Sequence, residues 1–145
     1  MNLETIKNNF NQYFVDVLKN HYADFKGRAN RPMFWYFQLY LFIIGFVAGF
    51  IFTLIHLPIL SMLVVLALIV PSLGLSVRRL HDLGKPWYWL LISIVPGILV
   101  YVAAFTVPSL INIFSLLQLI GNIVLFVFFC MKGEDKTNTW GPVVK

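Results

Sequence analysis

Two long apolar stretches dominate the chain. Residues 32–77 and residues 86–131 contain no Lys, Arg, Asp or Glu, and each stretch is 46 residues long. A helix rises about 1.5 Å per residue, so each stretch would extend roughly 69 Å as one helix, whereas the hydrocarbon core of a bilayer is about 30 Å thick. Two crossings and a turn fit this length, and one crossing does not. The pattern therefore predicts two helical hairpins in a membrane.

A proline lies near the middle of each apolar stretch. Pro58 and Pro108 are expected to mark the turns of the hairpins, since proline begins a helix more readily than it continues one. We therefore predict an all-α polytopic membrane protein with a four-helix domain at 32–131 and a cytoplasmic tail at 132–145. The predicted spans cover residues 34–56, 59–77, 88–106 and 109–131.

The segment before the first span, residues 1–31, is amphipathic. Apolar and aromatic residues recur there every three or four positions, as on one face of a helix. We expect this helix to lie flat on the cytoplasmic interface. The alternative is that its stripe packs on the cytoplasmic loops of the protein itself. The stripe consists of Leu3, Ile6, Phe10, Tyr13, Val17 and His21.

Composition and charge agree with a membrane protein and predict its orientation in the membrane. Hydrophobic residues make up 59% of the chain and charged residues 12%, against about 25% charged residues in soluble domains. All 11 Lys and Arg residues precede span 1, separate spans 2 and 3, or follow span 4. Basic residues collect on the cytoplasmic side of membrane proteins, so both termini are expected inside.

Polar residues within the spans are uncharged, which argues against a proton relay or an ion-coupled transporter. On span 1 they share a face with the small-residue pair Gly45 and Gly49, which would allow another backbone to approach closely. A second polar face lies on span 4. We expect the two stripes to meet and form hydrogen bonds inside the bundle; the alternative is a polar passage or ligand groove between spans 1 and 4. The residues of span 4 are Asn112, Ser115, Gln118 and Asn122.

The densest charged cluster follows span 2. If that helix continues for one turn, Asp82 lies within pairing distance of Arg78 and Arg79, with His81 beside them. One interpretation is structural: a helix end, a topology signal and an internal ion pair of Asp82. The other is an anionic headgroup or phosphate site, because guanidinium groups match phosphate oxygens. The candidate residues of that site are Arg28, Arg31, Arg78, Arg79 and His81.

Four motifs resemble those of the DUF805 family of small bacterial inner-membrane proteins. The segment Phe25–Trp35 is similar to the family's opening F-x-G-R-x-x-R-x-x-[FY]-W. Val77–Asp82 reads V-R-R-L-H-D and resembles its hallmark, and the aromatics Trp87–Trp89 follow as in the family. The segment Gly133–Pro142 is similar to its closing G-x-N-x-[FY]-G-P. The resemblance covers residues 25–142.

Two departures from the family pattern are visible. Pro86 stands where a Ser-Gly pair is more usual, and the spacing around Asn138 in the tail is altered. The family has no established biochemical activity. The resemblance therefore implies a location in the bacterial plasma membrane and leaves the mechanism open.

No catalytic motif is present in the sequence. It lacks H-E-x-x-H, G-x-S-x-G, a P-loop and a pair of Cys or His at metal-binding spacing, so we expect no enzyme, cofactor or metal site. The leading prediction is a protein that engages anionic lipid, a membrane-protein partner or a second copy through its basic cytoplasmic face, with no nucleic-acid partner. The alternatives are a small transporter or channel subunit built on the polar stripes, and a lipid-headgroup enzyme that uses His81 and Asp82.

Overall fold

The computed structural model describes residues 2–144, apart from the side chain of Pro58. Met1 begins the first predicted segment and Lys145 ends the last one, and both lie outside the described residues. Helices account for most of the described chain, and no strand occurs between residues 2 and 144. The helices are α1 (Leu3–Phe10), α2 (Asp16–Asn20), α3 (Arg31–Leu54), α4 (Pro58–Asp82), α5 (Leu91–Thr106) and α6 (Ile111–Cys130).

Four helices are long and apolar enough to cross a membrane, which confirms the predicted fold class. By length and composition the candidate spans are Arg31–Leu54, Ile59–Asp82, Trp87–Thr106 and Pro108–Cys130. The third and fourth each begin with a 3₁₀ turn, Trp87–Leu90 and Pro108–Leu110.

The helices begin and end near the positions that the prolines indicate. Helix α3 ends at Leu54, His56 adopts a left-handed conformation with φ of 56°, and α4 begins at Pro58. At its other end α3 begins at Arg31, three residues before the predicted span, because the Asn30 side chain caps it by accepting a hydrogen bond of 3.0 Å from the Met33 N–H.

Helix α4 is the one that extends furthest beyond its predicted span. It continues from residue 77 to Asp82, so the charged cluster lies on the helix itself. We call the end of the long helices that carries Arg31, Asp82, Trp87 and Cys130 the charged end, and the opposite one the turn end.

Close packing occurs within each hairpin. In the second hairpin Gly121 of α6 lies against the Ile92 carbonyl of α5, so closely that a Cβ would collide with it. The Ser93 hydroxyl also donates a hydrogen bond to the Asn122 side chain. In the first hairpin Gln38 of α3 donates to Ser72 of α4 at 3.4 Å. These four polar side chains therefore pair with the neighbouring helix of their own hairpin.

The prediction that the stripes of spans 1 and 4 meet is therefore wrong. Gln118 lies against Gly97 of α5, while Asn112 and Ser115 are exposed. Apart from the neighbouring backbone of α3, no described atom lies within 4 Å of a Cβ placed on Gly45 or Gly49, and Gly45 lines a cavity next to α4. Helices joined by short turns are neighbours, and Gln38, Gln118 and Asn122 make their contacts there.

The N-terminal segment is helical and packs on α3. The π turn Asn11–Val15 joins α1 to α2, and Phe14 within it is buried. The Phe14 and Phe37 rings lie 5.2 Å apart, and Phe10 meets Tyr40 edge-on at 5.1 Å. The partner of the stripe is thus a long apolar helix rather than the loops. Placement at a membrane interface stays a prediction.

Candidate functional site

Asp82, the last residue of α4, binds two guanidinium groups at the charged end. Its Oδ1 accepts from Arg28 at 2.9 Å, and its Oδ2 accepts from Arg79 at 2.5 Å. All three side chains are buried: 1% of Arg28, 0% of Arg79 and 6% of Asp82 is exposed. Sequence spacing predicted the pairing with Arg79, three positions away on the same helix. The structure adds Arg28, and Asp82 therefore neutralises two buried cations in part.

The remaining donors of Arg28 bind the tail. They reach the carbonyl oxygens of Glu134 at 2.5 Å and Lys136 at 2.8 Å, with a longer contact of 3.4 Å to Gly141. One side chain therefore connects the loop before α3, the end of α4 and the segment after α6. These acceptors are backbone groups, which residue types do not reveal.

Arg79 likewise donates hydrogen bonds to backbone carbonyl oxygens, at the end of α6. Its Nη2 donates to the Met131 carbonyl oxygen and to that of Phe129 at 3.3 Å, and its Nη1 contacts the Ala29 carbonyl oxygen at 3.5 Å. The last carbonyls of a helix have no partner within the helix. A guanidinium from α4 supplies donors to the final turn of α6 and thereby joins the two hairpins.

The tail folds back over the cluster through residues that the sequence prediction did not include. Asn138 donates to the His81 carbonyl oxygen at 2.8 Å, and the Trp140 ring stacks on the His81 ring with centroids 4.7 Å apart. Gly133 lies on the Asp82 carboxylate, where a Cβ would collide with Oδ2. The closing motif of the resemblance was the available signal for these contacts.

Arg78 lies apart from the cluster, on the side facing the N-terminal segment. It is buried, its Nη2 lies 3.9 Å from the Met33 sulfur, and its Nε has no hydrogen-bond partner among residues 2–144. Burial alone would raise the pKa of Asp24, but the Lys26 N–H, His21 and the positive charge of Arg78 outweigh it and lower that pKa overall. Arg78 thus belongs to a separate electrostatic group with Asp24.

The predicted five-residue phosphate site is therefore divided. Arg28 and Arg79 direct their guanidinium groups at Asp82 and at carbonyl oxygens, and Arg78 is buried elsewhere. His81 is buried beneath Trp140. Arg31 alone of the four arginines is exposed: its Nε donates to the Met131 carbonyl oxygen at 2.7 Å, and its terminal nitrogens have no hydrogen-bond partner within the described part of the chain.

Two cavities meet at Arg31 and Pro32. The first, of about 210 Å³, has charged side chains on its wall, among them Arg31, Lys132, Glu134 and Asp135, and is called the polar cavity; Val143 and Val144 also line it. The second, of about 360 Å³, is apolar and runs along the side of α3. The apolar cavity is lined by Arg31, Pro32, Trp35, Tyr36 and Leu39.

Comparison with known proteins identifies the family. The family model described as "Protein of unknown function (DUF805)" matches residues 22–142. The chain belongs to the DUF805 family. The matched region contains the whole cluster around Asp82, from Arg28 to the tail residues Asn138 and Trp140.

Two curated relatives are named as inner membrane proteins. The chain is 36% identical over 132 residues to inner membrane protein YhaI of Escherichia coli strain K12, covering 90% of this chain and 92% of the relative. It is 27% identical over 136 residues to inner membrane protein YhaH of the same strain, covering 90% of this chain and 93% of the relative. No solved structure matches the chain. With four apolar helices, this DUF805 protein is a multi-pass inner-membrane protein.

Proposed function

We propose that this DUF805 protein is a non-enzymatic membrane protein that binds an anionic phospholipid at its charged end. The observation that carries the proposal is the meeting of a polar and an apolar cavity at Arg31. In this proposal the lipid phosphate occupies the polar cavity between Arg31 and Lys132, and an acyl chain follows Trp35 and Leu39 along α3.

A hydrogen bond to the backbone orients the Arg31 side chain for phosphate binding. Its Nε is held by the Met131 carbonyl oxygen, which fixes the guanidinium plane and leaves the terminal nitrogens for a ligand. A guanidinium binds phosphate through two parallel hydrogen bonds, which a lysine cannot reproduce. The side chain is also exposed, so a headgroup can reach it from the membrane.

The carboxylates beside the polar cavity already have partners. Asp82 is bound by Arg28 and Arg79, Glu134 accepts from Asn138 at 2.7 Å, and Asp135 accepts from Lys132 at 2.6 Å. The last pair is solvent-exposed, and exposed ion pairs contribute only about 0–1 kcal/mol. Lys132 can therefore exchange Asp135 for a phosphate at little cost.

The orientation of the chain is part of this proposal. All Lys and Arg residues of the sequence lie before the first span, between the second and third spans, or after the fourth, and the turns at Pro58 and Pro108 carry none. The positive-inside rule then assigns both termini and the loop before Trp87 to the cytoplasm. Anionic lipids of the inner leaflet attract each nearby basic residue by about 1 kcal/mol.

The contacts of the other candidate residues support a binding role over the two alternatives. Asp82 and the Nδ1 of His81 are held by internal hydrogen bonds, so they do not form an acid–base pair directed at a substrate. Gln38 and Asn122 bind within their own hairpins, so they do not line a shared passage. A homo-oligomer remains part of the proposal, because a Cβ placed on Gly45 or Gly49 would meet no other described helix within 4 Å.

The test is retention of phosphatidylglycerol by the purified protein, measured by native mass spectrometry. The double variant Arg31→Gln/Lys132→Gln should bind the lipid about thirtyfold more weakly, since two contributions of about 1 kcal/mol are lost. The variant Lys7→Gln/Lys19→Gln makes the same change in charge on the N-terminal helix and serves as the control. Arg31→Lys should weaken binding although it preserves charge. Equal retention by the double variant and its control would overturn the proposal.

A further inference from the structure

A second groove lies at the charged end, on the far side of α4 from Arg31. It has a volume of about 360 Å³ and lies between α4, the start of the third span and the loop before α3. Its wall is almost entirely hydrocarbon and aromatic carbon. The lining residues are Phe25, Leu73, Val77, His81, Trp87, Leu90, Leu91 and Ile94.

His81 is the polar group of this groove, and its orientation is fixed. Its Nδ1 lies 3.1 Å from the Gly27 carbonyl oxygen, which only accepts hydrogen bonds, so Nδ1 carries a hydrogen and donates. One face of the ring is covered by Trp140, in a stack inclined by 9°. The groove is therefore lined by the part of the ring that these contacts leave uncovered.

The Nε2 atom of His81 has no hydrogen-bond partner among the described residues, although the residue is only 6% exposed. In a neutral imidazole whose Nδ1 donates, Nε2 is an acceptor. The fully buried side-chain atoms without a partner among residues 2–144 are the Nε atoms of Arg78 and Arg79, so the unpaired Nε2 of His81 remains accessible to a ligand. The groove thus presents one acceptor within an apolar, partly aromatic wall, and a ligand with a single donor at that position would satisfy it.

We propose that this groove binds a lipid whose head is an aromatic ring bearing a hydroxyl group, that is, a hydroquinone lipid. The hydroxyl would donate to the His81 Nε2, the ring would lie between Phe25 and Trp87, and the hydrocarbon tail would follow Leu91 and Ile94 along α5. No cationic side chain lines the groove among the described residues, which disfavours a phosphate. The aromatic side chains at the polar end favour an aromatic head over an aliphatic alcohol.

This assignment predicts selectivity between two redox states of one molecule. A quinol carries hydroxyl donors, whereas the corresponding quinone has only carbonyl acceptors and cannot pair with an acceptor at Nε2. Because one hydrogen bond is made or left unmade, the quinol should bind about tenfold more tightly. No electron transfer is involved in this binding.

The experiment measures binding of decylubiquinol and decylubiquinone to the purified full chain, without oxygen, by the shift in thermal unfolding. The quinol should stabilise the protein more strongly than the quinone and than a diacylglycerol. His81→Phe should abolish the preference. Leu91→Trp, which fills the groove and leaves His81 intact, should reduce quinol binding without a loss of fold.

Arg31→Gln should leave quinol binding unchanged, which separates this site from the proposed phospholipid site. Equal binding of quinol and quinone would overturn the assignment of Nε2 as the recognition group. If diacylglycerol bound as tightly as the quinol, the assignment of an aromatic head group would be overturned. If Leu91→Trp bound the quinol as tightly as the wild type, the assignment of the groove as the binding site would be overturned.

Discussion

Arg28 and Asp82 lie 54 positions apart in the sequence, yet the Nε of one is 2.9 Å from the Oδ1 of the other. Both side chains are almost completely buried. This pair joins the loop before the first span to the end of the second, and the remaining donors of Arg28 extend the connection to the tail. An internal network of hydrogen bonds therefore holds the charged end together. Arg31 joins it only through its Nε, and its terminal nitrogens have no hydrogen-bond partner among the described residues.

Removing the charge of Asp82 should destabilise the fold strongly. Asp82→Asn would leave Arg28 and Arg79 buried with no counterion, and loss of one partner from a buried ion pair typically reduces stability by about 3–5 kcal/mol. The free energy of unfolding can be measured by detergent-induced unfolding of the purified protein in micelles.

Asp135→Asn is the matched control for that prediction. It removes the charge of a carboxylate in the tail near Asp82, but the ion pair of Asp135 with Lys132 is exposed. The free energy of unfolding should therefore change by no more than about 1 kcal/mol. Similar losses in the two variants would contradict the structural role assigned to Asp82.

Two glycines of the spans should differ in their tolerance of a methyl group. Gly121→Ala would press a Cβ onto the Ile92 carbonyl and separate α5 from α6. The free energy of unfolding should fall by about 1–3 kcal/mol. The Cβ of Gly49→Ala would meet no described atom within 4 Å outside the neighbouring backbone of α3, so this change should be neutral or slightly stabilising. Thermal unfolding of the two variants in one detergent checks the order, and a larger loss for Gly49→Ala would indicate a neighbour packed on that face.

Acid should weaken the contact between the N-terminal segment and α4. The pKa of Asp24 is below its ordinary value, so its ionised form stabilises the fold above about pH 4 and this contribution is lost as the pH falls through the lowered pKa. The stability difference between wild type and Asp24→Asn should be present at about pH 5 and shrink below about pH 4. A difference that grew on acidification would contradict the direction of the shift. Thermal unfolding across that range provides the measurement.

Sequence alone was sufficient for the spans and for one ion pair, because both follow from local spacing. Apolar length specifies the four helices, and the three-residue spacing of Arg79 and Asp82 on one helix predicts their contact. The contact of Arg28 depends on how distant segments meet. The bonds from Arg28 and Arg79 to carbonyl oxygens involve backbone groups that every residue carries, so no residue pattern reveals them.

The packing of the N-terminal helix shows a second limit of sequence patterns. The predicted apolar stripe omits Phe14, although Phe14 lies four residues after Phe10 and three before Val17 and so shares their helical face. The π turn at Asn11–Val15 widens one turn of the helix and brings Phe14 onto Phe37. A regular helical period cannot anticipate such a turn, and Leu3 at the start of the stripe remains 82% exposed.

The proposed orientation can be tested with single cysteines in a Cys130→Ser background. Ser109→Cys, at the turn between the third and fourth spans, should react with an impermeant thiol reagent in intact cells. Thr137→Cys, in the exposed tail, should react only after the cells are lysed. Labelling of Thr137→Cys in intact cells would reverse the topology and place the proposed phospholipid site on the other leaflet.

The most direct test of the phospholipid site is photo-crosslinking. A photoactivatable phosphatidylglycerol with its reactive group near the glycerol should label residues 31–39 of α3 and residues 131–136 of the tail, where the two cavities meet. Excess unlabelled phosphatidylglycerol should compete more effectively than phosphatidylethanolamine, and Arg31→Gln/Lys132→Gln should lose the labelling. Labelling confined to residues 3–20, or unchanged in that double variant, would contradict the account.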